Sequence, residues 1–330
     1  MIASFGGAWG QAIQLGLIDS FERDTGIDVT LLPTQDVAAS SAAVDAGQAP
    51  LEDIIDTNQS TLFTLDRDGY LAQIDYGAVD ADILEQVPEY ARLDYATGWG
   101  QFAIGLCYDA EVFPDTGPQP ATWADFWDLE AFPGNRGMLA WPAEPQPEFG
   151  LIADGVAIDE LYPLDLDRSF EKLSEIAGEI PDFPDSPAVL GQQLVDKQVV
   201  MEACFTHRVQ NLIDAGMARI GISYEQARLQ TEYWGVWEDA PNKENAMKFI
   251  AYTLEAQPQA AWAQIGNTSP INPEAFELIP EDLQEKLATA PSHDTLWAKD
   301  DEWYSEQNDE GITNREVLIE LWDEWVSSQG

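Results

Sequence analysis

The sequence predicts an α/β protein in which a largely parallel sheet carries helices on both faces. Three observations point there. Short apolar runs of strand length alternate with stretches of helical periodicity. The alternation restarts near residue 100, and no flexible linker, low-complexity tract or internal repeat separates the halves. Two α/β units joined by strands that cross from one to the other account for both. Hydrophobic residues make up 45% of the 330, enough for a sizeable core.

The elements follow in order. Met1 to Phe5 is an apolar first strand that runs into Gly6, Gly7 and Trp9. Ile13, Leu17 and Phe21 then fall at helical spacing, and Gly26 terminates that helix. Ile27, Val29 and Leu31 alternate with polar residues, as in a half-buried strand. "EDIIDT" (52–57) is a short strand and "TLFTLDRDG" (61–69) a helix closing at Gly69. The second round begins with the strand "FAIGLCYD" (102–109) and the short helix "WADFWD" (123–128). A strand "GMLAW" (137–141) and an amphipathic helix "DRSFEKLSEIAG" (167–178) follow. "VVMEACF" (199–205) and "ARIGISY" (218–224) are further strands, and "YWGVW" (233–237) is aromatic and extended. Residues 242–256 form a clear helix that Asn242 can cap, with Ala246, Phe249, Ile250 and Leu254 on one face. The tail from about 293 reads as helix, with tryptophans at 303, 322 and 325.

Charge narrows the partners. Sixty acidic residues against fifteen basic ones give a formal net charge of -45. Nucleic acid needs a basic face and is excluded. The acids are spread through every segment among ordinary core patterns, which argues against disorder and for a hydrated surface suited to strong brine, where salt screens self-repulsion. No apolar run is long enough to span a membrane. No signal segment precedes the first strand, which leaves a cleaved export signal and an internal protein both open. Cys107 and Cys204 each sit in an apolar strand-like run without metal-type spacing. Buried free thiols are the first expectation and a bridge between neighbouring strands the alternative.

Catalytic signals are thin. The two histidines, His207 and His293, belong to no HExxH, GxSxG or P-loop pattern, and neither a metal nor a cofactor is indicated. Position is more informative. Ligands of open parallel sheets sit beyond the carboxyl ends of the strands. Five stretches qualify: "GGAW" with Gly7 and Trp9, Asp56 to Gln59 with Asn58, Trp141 to Glu148, Thr206 to Arg208, and Glu232 to Trp237 with Trp234. Tryptophan faces attract cations and carboxylates pair ammonium groups, so together they make a box for an organic amine. Thr206 looks like a helix N-cap with Arg208 in the first turn, a place that favours anions. Arg208 either pairs a ligand carboxylate or neutralises a neighbouring acid. Packing alone is the competing role for Trp9, whereas Trp123, Trp127, Trp262 and the tail tryptophans read as core.

At these residues the chain resembles the extracellular solute-binding proteins of ABC importers, in their spermidine/putrescine-binding branch. The segments that carry the resemblance are "GGAWGQA", "FERDTGIDV", "TWADFWDLEAFPGNRGM", "EFGLIADGVAIDELYPLDLDRSFEKL", "EYWGVWEDAPNKENAMKFIAYTLEAQPQAA" and "NTSPINPEAF", over nearly the whole length. The resemblance implies a periplasmic-binding-protein type II fold: two α/β lobes (1–102 with 238–287, and 103–237 with 288–330), crossing strands, and a ligand cleft that closes by a hinge. It also implies a monomer that delivers its solute to a membrane permease, lies outside the cytoplasm, and is anchored through a segment absent from this chain. It places Gly7, Trp9, Asp56, Asn58, Glu232 and Trp234 at the cleft, with Thr268, Ser269 and Asn272 on a facing loop. Thr206 and His207 stand where the family usually has a small polar-glycine-arginine turn, which puts the ligand's identity in question. A polyamine is the first expectation. The alternatives are an amino acid held by Arg208, ferric iron at Tyr233, a thiaminase-like enzyme using Cys107, and an acid-pair hydrolase.

Overall fold

A computed structural model of the chain describes residues 1–141, 146–217 and 219–328. The chain forms two compact units, Met1–Gln101 with Thr231–Ala290 and Phe102–Gln230 with Pro291–Gly330. Nine strands are present among the described residues: β1 (Ile2–Ala3), β2 (Leu31–Leu32), β3 (Ile54–Thr57), β4 (Ala96–Asp109), β5 (Arg136–Gly137), β6 (Met201–Phe205), β7 (Ile220–Val236), β8 (Ser269–Pro270) and β9 (Trp297–Ala298). The chain leaves the first unit within β4, returns within β7 and leaves again after Ala290.

In the first unit β1 lies between β2 and β3, parallel to both, with Ile2 opposite Leu31 and Ile54. The last residues of β7 then pair antiparallel with β3, placing Trp234 opposite Asp56. β8 pairs antiparallel with the start of β4. In the second unit β4 and β6 are antiparallel, β5 is parallel to β6, and β9 is parallel to β7. The pairing is therefore mixed rather than largely parallel. A parallel pair needs a long crossover inside one unit. β4 and β7 enter a unit from the other one and are free of that requirement.

Several predicted strands are shorter or longer than expected. The alternation at 27–32 yields only Leu31–Leu32, and "GMLAW" contributes only its first residue to β5. "ARIGISY" and "YWGVW" merge into the 17-residue β7, because the polar stretch between them is also extended. The first helical segment begins at Gly7, whose φ of 65° requires glycine, passes through a π-turn at Gln14–Ile18 and stops at Gly26 with φ 71°. Gly16, inside the π-turn, packs against the backbone of Trp262, where a Cβ would lie 2.5 Å from that residue's Cα.

Aromatic residues fill the cores. Phe21 meets Phe249 edge-on at 5.2 Å in the first unit. In the second, Trp123 stacks on Phe149 at 3.5 Å, and Phe170 and Phe183 pack on Trp322 and Trp325. Trp123, Trp127, Trp262, Trp322 and Trp325 are buried, as core residues. Trp303 is half-buried against Tyr162 and Tyr304.

Cys107 and Cys204 are joined in a disulfide, which corrects the expectation of free thiols. β4 and β6 pair Gly105 with Cys204 and Cys107 with Glu202, so the cysteines are diagonal neighbours with Cα atoms 5.8 Å apart, within bridging reach.

The surface is acidic throughout. Its ion pairs are mostly local, such as Lys243 with Glu238 and Lys248 with Glu244. Even if all 15 basic residues were paired, 45 of the 60 acids would keep their charge. Their mutual repulsion is screened within about 3 Å at 1 M salt but reaches about 30 Å at 0.01 M. The melting temperature is therefore expected to rise by at least several degrees from dilute buffer to molar sodium chloride, since roughly 2–4 °C accompanies each kcal/mol in domains of 150–250 residues. Equal melting temperatures in the two solvents would show that the acids do not act on stability.

Candidate functional site

In the first unit, Asp56 gathers much of what the sequence singled out. Parallel pairing of β1 and β3 sets Ser4 beside Asp56, and the Ser4 hydroxyl donates to Asp56 Oδ2 at 2.6 Å. The Trp9 indole N–H donates to the same oxygen at 2.9 Å, and the Trp99 indole N–H donates to Oδ1 at 3.1 Å. Trp99 stacks on Trp234 at 4.3 Å, while Trp9 stands edge-on to Trp99 and to Trp262, each at 5.6 Å. Burial pushes the Asp56 carboxyl up to about 6, against the pull of its three donors. Of the four tryptophans, Trp9 alone keeps measurable exposure, 5% against 0% for the others.

The other expected residues of this unit divide by role. Gly7 is exposed at the start of the first helix. Glu232 lies on β7, nearly buried. Asn58 caps the Gln59–Arg67 helix, accepting the Thr61 N–H at 3.0 Å. Asn272 caps Pro273–Glu277 and donates to the Leu254 carbonyl at 2.9 Å. Ser269 Oγ accepts the Thr289 N–H at 3.0 Å, and Thr268 is buried next to it. Tyr233 donates its hydroxyl to the Tyr90 carbonyl at 3.2 Å.

In the second unit, Thr206 begins the Thr206–Asp214 helix. The N-cap is Phe205 rather than Thr206, and the Thr206 hydroxyl donates instead to the Ala103 carbonyl at 3.1 Å. His207 is buried with its ring 4.6 Å from that of Phe102. Burial and the neighbouring Arg208 charge hold its imidazole well below the usual range, so it is neutral. Arg208 follows in the same first turn, half-buried. Trp141 is half-buried, edge-on to Phe205 at 6.2 Å. Residues 142–145 of the expected 141–148 stretch lie outside the described residues. Glu148, fully buried, accepts hydroxyls from Tyr162 and Tyr304 on one oxygen, each at 2.8 Å. Burial raises its carboxyl, opposed by those donors and by Arg228.

Sequence reasoning missed Trp99, Ser4, Tyr162 and Tyr304. Trp99 had a usable signal: it stands between two glycines within a strand run. A Cβ on Gly100 would sit 2.2 Å from the Trp262 ring, so glycine there makes room for a second indole. Two hollows within single units, of about 180 and 420 Å³, are bordered by none of the expected site residues. Cys107 is bridged and fully buried, which removes it as a nucleophile.

Comparison with known proteins places this geometry. Residues 16–291 match the family model of the bacterial extracellular solute-binding proteins. The γ-aminobutyric acid-binding protein of Pseudomonas aeruginosa is 29% identical over 299 residues, covering 88% of this chain and 82% of that protein. The spermidine/putrescine-binding periplasmic protein 1 of Haemophilus influenzae is 22% identical over 312 residues, 91% and 83% of the two chains. The crystal structure of an ABC transporter substrate-binding protein from Bradyrhizobium japonicum superposes with a TM-score of 0.88 at 29% identity, covering 98% of each chain. These relatives are transport proteins rather than enzymes, and the family is periplasmic or extracellular. Among the described residues no helix is long and apolar enough to cross a membrane. The chain belongs to the bacterial extracellular solute-binding proteins, as the solute-binding component of an ABC transporter.

Proposed function

We propose that this chain captures a small amine-bearing solute, with an ω-amino acid of the γ-aminobutyrate type ahead of a polyamine. The observation that carries this order is the first turn of the Thr206–Asp214 helix. Arg208 stands in that first turn, near the positive end of the helix dipole. A carboxylate is favoured at such a place and a second ammonium is repelled. For the amine, the chain offers the Trp9 ring and the Glu232 carboxylate. An ω-amino acid carries one group of each kind for which the chain has a complementary side chain, whereas putrescine and spermidine carry only cations. The 29% identity to a γ-aminobutyric acid-binding protein supports the same order, and the 22% identity to a spermidine/putrescine-binding protein keeps the polyamine as the second reading.

Surface charge does little to attract solute in brine, because the field is cut off within a few ångströms, so affinity must come from direct contacts. Calorimetry in molar salt is expected to give γ-aminobutyrate at least about tenfold tighter binding than putrescine, the effect of about 1.4 kcal/mol. Arg208→Ala should weaken γ-aminobutyrate by a similar factor and leave putrescine unchanged, while Glu232→Gln should weaken both. Tighter binding of putrescine, insensitive to Arg208→Ala, would establish the polyamine reading instead.

A further inference from the structure

We infer that Asp56 is a positioning residue for solute recognition: by holding the indole N–H groups of Trp9 and Trp99 together, it fixes the ring of Trp9 against which the amine is read. The inference rests on the amine reading proposed above and adds a residue that acts through another. Asp56 itself is wholly buried, so it offers no oxygen to a solute. Its Oδ2 takes the Ser4 hydroxyl and the Trp9 indole, and its Oδ1 takes the Trp99 indole. An indole nitrogen can only donate, so whatever stands between these two rings must accept from both. A carboxylate does this. The nearly isosteric amide does not, because its NH₂ would meet a donor on one side.

The consequence reaches the ring faces. Trp99 is held a second time by its stack on Trp234, and Gly100 leaves space for Trp262 beside it. Trp9 has edge contacts to Trp99 and Trp262 but no face-to-face stack on either. The bond to Asp56 adds a directional tie, through one carboxylate, between Trp9 and the stacked pair. A carboxylate accepting an indole N–H also pushes electron density into that ring, which strengthens its attraction for a cation. Asp56 thus sets both the angle and the strength with which Trp9 meets an ammonium.

The test uses protein carrying ¹⁵N-labelled tryptophan in molar salt. It compares indole N–H resonances and calorimetric affinity for γ-aminobutyrate and putrescine. Asp56→Asn is expected to shift two indole signals, assigned by Trp9→Phe and Trp99→Phe, and to weaken the better solute by tenfold or more. In a Trp9→Phe background, where no indole donor remains at that place, Asp56→Asn should add less than twofold. Shifted signals with affinity unchanged within twofold would make Asp56 a fold anchor only and overturn the inference. Full additivity of the two substitutions would also overturn it, as would unmoved signals. Should Asp56→Asn not fold, Trp99→Phe removes the second donor of the clamp and leaves the Trp9 ring in place: at least fivefold weaker binding supports it and unchanged affinity overturns it. If the wild type binds no amine, the solute reading fails on its own account, while the indole signals still report whether the clamp exists.

Discussion

Replacing Cys107 and Cys204 together by alanine is expected to destabilise the protein by about 4.7 kcal/mol, the chain-entropy value for a loop of about 100 residues. The cysteines are 97 residues apart in sequence, and almost everything between the strands β4 and β6 belongs to the loop they close. The linkage pins two antiparallel strands at the centre of the second unit, where Leu194, Val199, Val209 and Ile220 pack around it. An unfolded chain without the linkage gains the freedom of that whole segment, and the folded chain also loses the packing of two buried sulfur atoms. Denaturant titrations of both proteins in the same molar salt check this. The variant's midpoint should fall well below that of the oxidised wild type, and the wild type unfolded under reducing conditions should move toward the variant. Coincident midpoints would show that the linkage adds nothing. A persistent disulfide also fits the oxidising surroundings in which this family works.

How far the sequence speaks depends on the range of the interaction that decides each feature. Helix limits are local, and they were legible: Gly26 ends its helix at φ 71°, and Asn242 stands at the N-cap of Lys243–Thr253. Yet the Asn242 side chain makes no capping bond and reaches Asp53 instead, a partner 189 residues away that no local rule proposes. Strand direction escapes local rules for the same reason. Alternating strands and helices imply parallel neighbours, but β7 reaches β3 from the other unit and pairs antiparallel. The state of the two cysteines hangs on a register offset of two residues between β4 and β6, which periodicity does not encode.

The candidate site divides along the same line. Trp9 and Asp56 could be picked out because each stands near the carboxyl end of a strand, and strand ends are visible in sequence. That they belong to one hydrogen-bonded unit with Ser4 and Trp99 could not, since those residues come from three separate strand regions. Trp234 is expected at the cleft from its place at a strand crossing. It is instead fully buried, stacked on Trp99, because its neighbour across the β3–β7 ladder is the equally buried Asp56. Ser269 and Asn272, expected on a loop facing the cleft, make hydrogen bonds inside the fold, with Thr289 and as a helix cap. A polar side chain in a loop advertises a hydrogen bond without saying with whom.

Glu202 carries the other large expected effect. It lies on β6 opposite Cys107, 1% exposed, and its Oε2 finds no hydrogen-bond partner among the described residues. Burial alone pushes its carboxyl up to about 8. The sign follows from proton counting. In the unfolded chain the carboxyl releases its proton near its ordinary value of 4.5, whereas in the folded chain it keeps it until about 8. Between these limits the folded state binds more protons, so stability falls as pH rises through the window and levels off above it. Glutamine at this position has the shape of the protonated acid and never ionises. Glu202→Gln should therefore match the wild type near pH 4.5 and exceed it progressively toward pH 8, by on the order of 4 kcal/mol at the upper end. The other acids titrate in both proteins, so their contribution cancels in the difference. Denaturation midpoints of the pair at pH 5, 6, 7 and 8 in constant salt measure it. Curves that stay parallel across that range would mean that Glu202 ionises as readily in the folded protein as in the unfolded chain, and that the apolar surroundings of β6 admit a charge that their burial says they exclude.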